Sequence, residues 1–272
     1  MRSQKEESLD ARIHSTIKDL NFSEQVAHTA RLLCKDDEIQ CIQEYANTVS
    51  IKRLGFNDHG PVHMRTVALN GLVMMGLLKR AGIQTNMEIE ACGGFDDSVV
   101  AVLLASFFHD FGMTIGRHEH ELHSAYIAYP IIERILREVY PTDLALQVGV
   151  RSLVLEGIAG HMGNRPIHSL EAGLIQIADG CDMTKGRARI IMELSAGRSG
   201  RGDIHQYSAN SIEQVKLSAG EKKPIRIEVL MSAEVGLFQV EEVLLAKISN
   251  STAKDYIELF AVVNDGPVKQ YL

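Results

Sequence analysis

The chain has no tryptophan, and only 6% of its residues are aromatic. A stacking platform for single-stranded nucleic acid therefore has little to build on. The net charge of −7 argues against unassisted binding to a phosphate backbone, so nucleic acid is not an expected partner. The four cysteines, Cys34, Cys41, Cys92 and Cys181, form no C-x-x-C pair and match no zinc-knuckle spacing. They read as reduced small hydrophobes of a cytoplasmic protein. No run approaches the roughly 18 apolar residues of a membrane span. The polar opening MRSQKEESLDARIH lacks the apolar core of a signal peptide, and no membrane partner is expected. Neither G-x-x-x-x-G-K-[ST] nor G-x-S-x-G occurs, which leaves out a Walker-type phosphate loop and a serine hydrolase built on a nucleophile elbow. AGRSGRGD is glycine-rich but follows helical sequence rather than a strand, and it reads as a linker.

What is present is mostly helix. Of 272 residues, 45% are hydrophobic and 23% charged, an ordinary globular mixture able to bury a substantial core. Residues 9–54 read as two or three helices; DDEIQCIQEYANTVSIKRLG opens acidic and stops at Gly55. From Pro61 to Arg80, PVHMRTVALNGLVMMGLLKR carries apolar residues at helical spacing and is closed by Gly82. SVVAVLLASFFHD is apolar nearly all round, which predicts a central buried helix capped by Asp97 or Ser98. MTIGRH reads as a loop. EHELHSAYIAYPIIERILREVY predicts a helix with a kink or restart at Pro130. Residues 143–160 and HSLEAGLIQIADGCDMTK read as further helices.

Near residue 196 the character changes. PIRIEVLMS and KDYIELFAVV alternate as strands, GLFQVEEVLLAKI between them reads as helix, and DIHQYSANSIEQVKL reads as another strand. The expected fold class is mainly α: a helical body over 1–198 and a small α+β unit over 199–272. That unit is too small to bury much surface alone. It is expected to pack on the helical body or on a second copy of the chain, the latter giving a homo-oligomer.

Eight of the eleven histidines lie between residues 59 and 168. FFHDFG, residues 107–112, sets His109 and Asp110 at the end of the most apolar helix, where leaving them unpaired would cost on the order of a few kcal/mol each. IQIADG sets Asp179 in similar surroundings. His63 lies near a helix start, and His123 and His161 fall on later helices. Imidazole and carboxylate are ligands of Zn, Fe, Mn and Ni, and helical bundles turn such ligands inward from facing helices. His120, three residues before His123, shares its face and reads as a further ligand or a proton carrier. His59 reads as a contact to substrate or leaving group, against a polar loop or capping role. His168 reads as structural, as do His14, His28 and His205.

The order H…HD…D, carried by HGPVHMRTV, FFHDFG and IADG, resembles the HD-domain metal-dependent phosphohydrolases over about residues 50–195. ELHSAYIA and AGHMGNRP resemble the segments that supply a second metal in binuclear members. HMGNRPIHSLEAGLIQIADGCDMTKGR is similar to the diadenosine-tetraphosphate hydrolase branch. It departs from that branch after the aspartate, where an acidic-Pro-x-Arg run is usual and DMTKGR stands here. The tyrosine-proline loop of the cyclic-dinucleotide HD-GYP branch is missing after His161.

The resemblance implies an HD-domain helical bundle. It implies one metal held by His63, His109, Asp110 and Asp179, and a second held by Asp110, His123 and His161, with Asp110 bridging. The cofactor would be one or two divalent transition ions (Mn, Fe, Ni, Co or Zn). The activity would be hydrolysis of a phosphate ester or anhydride of a nucleotide or other small phosphorylated metabolite, by a metal-activated water. Asp110 and His59 are then the catalytic candidates. Asn164 and Arg165, in the loop after His161, and Lys185 and Arg187, after Asp179, are the expected substrate contacts. Two other expectations share these residues: a di-iron HD-type oxygenase, and a non-catalytic metal or nucleotide sensor acting through the C-terminal unit.

Overall fold

The computed structural model describes residues 2–183 and 204–272. Lys185, Arg187 and the expected boundary between 198 and 199 lie outside the described residues. The first part is helical: α1 (Gln4–Asp19), α2 (Glu24–Lys35), α3 (Asp37–Thr48), α4 (Pro61–Arg80), α5 (Asn86–Ile89), α6 (Phe95–Phe108), α7 (His120–Val139), α8 (Leu144–Gly160) and α9 (Leu170–Gly180). α3 continues as a π-helical segment, Val49–Leu54, and stops at Gly55, whose φ of 68° only glycine adopts freely.

α6 is the hub. Every residue from Ser98 to Phe108 is buried, and the helix packs against α2, α4, α8 and α9. This is the burial that an apolar surface all round requires. Its start lies earlier than Asp97 or Ser98. Gly94 is the cap residue, and the Asp97 carboxylate accepts the Gly94 N–H at 2.8 Å from inside the first turn. α7 passes through Pro130 without a break. The proline lies on the exposed side beside Tyr126 and Tyr129, where water can reach the carbonyl left without a donor.

The start of α4 is held by a buried arginine. Arg65 donates to Asp10 at 2.7 Å, Gln43 at 3.0 Å and Gln40 at 3.1 Å. A guanidinium this deep persists only when its hydrogens are paired. The tie to α1 and α3 fixes the helix turn that also carries His63.

The C-terminal part runs α10 (Ile204–Ser211), β1 (Ile212–Ala219), β2 (Ile225–Met231), a composite helix α11 (Leu237–Gln239, Val240–Leu244 and Leu245–Asn250), β3 (Ile257–Val263) and β4 (Lys269–Gln270). DIHQYSANSIEQVKL thus divides between helix and strand: the strand starts at Ile212, and its regular alternation begins at Val215, after a register shift between Ile212 and Gln214. The sheet order is β1-β2-β3-β4; β2 and β3 pair in parallel with α11 as the crossover, and the outer pairs are antiparallel. Ile225, Ile227, Val229 and Met231 of β2 are buried and join the same apolar core as the helices. β1 and β2 pack toward α4, so the small unit closes on the helical body of its own chain. No helix among the described residues is long and apolar enough to cross a membrane.

Candidate metal centre

Helix ends meet at one place. His63 stands in the first turn of α4, His109 caps the C-terminus of α6 with Asp110 after it, His120 opens α7, His161 caps α8, and Asp179 lies in the last turn of α9. None of the six is more than 7% exposed. Three of these ends are helix C-termini, whose carbonyls carry partial negative charge and favour a cation.

The outer nitrogens settle the state of the rings. His109 Nδ1 lies 2.9 Å from the Ser106 carbonyl, His120 Nδ1 3.0 Å from the Arg117 carbonyl, and His161 Nδ1 2.7 Å from the Ile158 carbonyl. His63 Nδ1 lies 2.7 Å from Asp182 Oδ2. Carbonyls and carboxylates only accept, so each Nδ1 donates and, in a neutral ring, Nε2 carries the lone pair. The Nε2 atoms nevertheless face one another at 3.1 Å for His63 and His109, and at 3.2 Å for His120 and His161. Two lone pairs at that distance repel unless extra protons or a cation lie between them. Burial pushes His161 down to about 4, which disfavours the extra proton.

The carboxylates sharpen this. Asp110 Oδ2 lies 3.2 Å from His63 Nε2 and 3.3 Å from His109 Nε2. Asp110 Oδ1 lies 3.2 Å from His120 Nε2 and 3.5 Å from His161 Nε2. Asp179 Oδ1 lies 3.2 Å from His63 Nε2. Burial would raise the Asp110 carboxyl, but the neighbouring imidazoles of His109, His59 and His120 outweigh it and hold it well below the usual range. Burial would also raise Asp179, and Lys247 together with His63 and His109 holds it well below. Ionised carboxylates and an inward set of imidazole lone pairs are the ligand forms of a metal site. Three overlapping groups, His63–His109–Asp110, His109–His161–Asp179 and Asp110–His120–His161, keep their donor atoms within 4.8 Å of one another and could hold a metal ion.

The structure brings together five of the six expected ligands and leaves His123 aside. His120 stands beside Asp110 and His161 in its place. His123 lies three residues on, about 4.5 Å further along the helix axis, and its Nδ1 is buried without a hydrogen-bond partner. The reason lies in FFHDFG. A Cβ at Gly112 would sit 2.0 Å from the His120 carbonyl oxygen and 2.7 Å from the Ser124 nitrogen. The missing side chain lets the first turn of α7 press onto the segment after Asp110, and Ser124 Oγ accepts the Gly112 N–H at 2.7 Å. The first residue of the helix, not the fourth, then meets the carboxylate.

His59 lines the adjoining cavity of about 410 Å³, with Nδ1 2.5 Å from the Asn57 carbonyl and 2.8 Å from Ser50 Oγ. Asn164 and Arg165 do not line it. Asn164 donates to Glu121 at 3.4 Å, and Arg165 pairs with Glu121 and Glu119 at 3.6 Å each. Glu121 is itself buried and lies 3.3 Å from His120 Nδ1; its carboxylate draws the loop side chains to the back of the ring rather than into the cavity.

Three other groups were not singled out from the sequence. Asp182 orients His63. Arg117 lines the cavity, its guanidinium 3.5 Å from His120 Nε2. Lys247, from α11, donates to Asp179 Oδ2 and, at 3.0 Å, to the His161 carbonyl. The signal for Lys247 is present in GLFQVEEVLLAKI: it continues the buried stripe Val240, Leu244 at helical spacing, an unusual place for a lysine.

No family model matches the chain, and no solved structure matches it. The chain is 40% identical over 231 residues to the uncharacterized protein MJ1020 of Methanocaldococcus jannaschii, a match covering 85% of this chain and 86% of that protein. An identity of this size over nearly the whole of both proteins means that the chain belongs to the same family as MJ1020.

Proposed function

We propose that the chain is an HD-type phosphohydrolase that uses two divalent transition ions to hydrolyse a phosphate ester or anhydride of a small metabolite. The observation that carries this reading is Asp110, whose two oxygens each face a different histidine pair. His63, His109, Asp110 and Asp179 would hold one ion; Asp110, His120 and His161 would hold the other. Such ions supply Lewis acidity toward a phosphoryl oxygen and lower the pKa of a water nucleophile.

The chain supplies orientation and proton handling. Asp182 and the carbonyls of Ser106, Arg117 and Ile158 fix the four rings so that Nε2 points inward. Arg117, on the cavity wall beside His120, is suited to a phosphate oxygen by its planar fork of donors. His59 keeps its Nδ1–H on the Asn57 carbonyl, so proton exchange falls to Nε2, and it takes the role of acid toward the leaving oxygen.

Stripped protein should regain hydrolysis of p-nitrophenyl phosphate or a nucleoside phosphate on addition of Mn, Fe, Co, Ni or Zn. No turnover of any phosphate ester or anhydride with any of them sinks the reading. A mixed-valent di-iron resonance coupled to substrate oxidation does the same. Within the reading, His120→Ala should lower turnover on the order of a hundredfold or more, since it removes a ligand from one ion. His123→Ala should stay within about threefold of the parent, the usual fate of a substitution that touches no reacting group. Equal losses in the two variants would reject the geometry of this second site.

A further inference from the structure

Lys247 is an ammonium carried to the site by the part of the chain that the hydrolytic ligand set does not use. It is 9% exposed. An ammonium has three hydrogens to donate, and Lys247 spends two, on Asp179 Oδ2 and on the His161 carbonyl. Among the described residues it has no third acceptor, and it lines the cavity. Asp179 divides its oxygens: Oδ1 faces His63 and Oδ2 faces Lys247. The lysine therefore holds the carboxylate without competing for the oxygen that faces the histidines.

The helix that brings it is seated on α9. A Cβ at Gly173 would lie 2.2 Å from Thr252 Oγ1 and 2.6 Å from Ser251 Oγ, so glycine there lets the end of α11 lie directly on α9. Ser251 Oγ donates to the Gly173 carbonyl at 3.0 Å, and Thr252 Oγ1 to the Ser169 carbonyl at 2.6 Å. Gln239 and Val243 of α11 line the same cavity. The C-terminal unit is thus a wall of the site, fixed to the helix that carries Asp179.

The cavity also has a distinct charge pattern. Asp110, Asp179, Lys247 and Arg117 all line it, with Lys247 on the Asp179 side and Arg117 on the His120 side. Divalent ions at the carboxylates would leave these two cations flanking an electropositive floor, a setting for a small anion with several oxygens.

We propose that Lys247 is a substrate-binding residue, the third hydrogen of its ammonium donated to a non-bridging oxygen of the substrate phosphate, and that the C-terminal unit is present to deliver it. This rests on the phosphohydrolase reading, in that it names the phosphate contact of that same site.

The test is inorganic phosphate binding to metal-loaded full-length protein, followed by calorimetry, with metal content measured on the same samples. Lys247→Met should keep its metal and bind phosphate about ten- to a hundredfold more weakly, the worth of one charge-assisted hydrogen bond. Lys247→Arg should recover part of the loss. In the unmodified protein, phosphate should shield Lys247 from acetylation, read by peptide mass spectrometry, and this arm does not depend on a variant folding. Undiminished phosphate binding in Lys247→Met overturns the proposal. So does loss of metal in step with loss of phosphate, which would make the lysine a partner of Asp179 alone, and so does acetylation indifferent to phosphate. If the parent binds phosphate through Lys247 yet turns over no ester, the hydrolase reading fails while the phosphate site stands.

Discussion

On the proposed reading, Asp110→Asn should lower the metal content of the protein from two ions to one or none and reduce phosphohydrolase turnover on the order of a thousandfold or more, the several kcal/mol that paired ions contribute at a phosphoryl group. Asparagine keeps the size of the side chain and one oxygen, but it replaces the other oxygen with an amide that donates. In the parent, Oδ2 serves His63 and His109 while Oδ1 serves His120 and His161. Whichever way the amide turns, one histidine pair then faces a donor instead of an acceptor. Metal analysis by mass spectrometry and turnover on the same preparation check the result. A variant that keeps both ions and full turnover rules out Asp110 as the shared ligand.

Removing the metal should cost the protein on the order of 10 °C in melting temperature. The histidines and carboxylates of the site are buried, and in the folded chain they form three overlapping groups, each with its donor atoms within 4.8 Å of one another. The unfolded chain offers no such arrangement, so an ion binds the native state almost alone. At about a thousand times its dissociation constant, such a ligand stabilises by roughly 4 kcal/mol, and for a chain of this size each kcal/mol is worth about 2–4 °C. Melting followed by circular dichroism before chelation, after it and after re-addition of metal measures the shift. An unchanged melting curve through that cycle would show that the cluster holds no ion under those conditions.

Much of the site was legible because of where polar residues fall against apolar ones. His109 and Asp110 stand at the end of a helix with no polar face, and Asp179 ends IQIADG; in both cases the chain must bury the group, and burial demands a partner. The bounds of α4 were equally plain, since Pro61 and Gly82 each have a backbone reason to start or stop a helix. Sequence spacing alone does not rank His120 against His123, since the two lie on one helix face three residues apart; the resemblance favoured His123. Asn164 and Arg165 read as phosphate contacts from their place in the loop after His161, yet both reach the buried carboxylate of Glu121 and neither lines the cavity.

The sequence by itself determined that this chain is mainly helical with a small α+β unit at its end, and that His109, Asp110 and Asp179 are groups that need partners; His63, His123 and His161 entered as ligands through the resemblance. Periodicity, caps and the cost of burying charge are local, and they act on each segment alone. The tertiary structure decided that the first residue of α7 meets Asp110, because that depends on how closely the helix can approach Gly112. It also decided that Lys247 reaches Asp179 from 68 residues away. Contacts of that kind are set by which helix ends converge in space, and no local pattern carries that information.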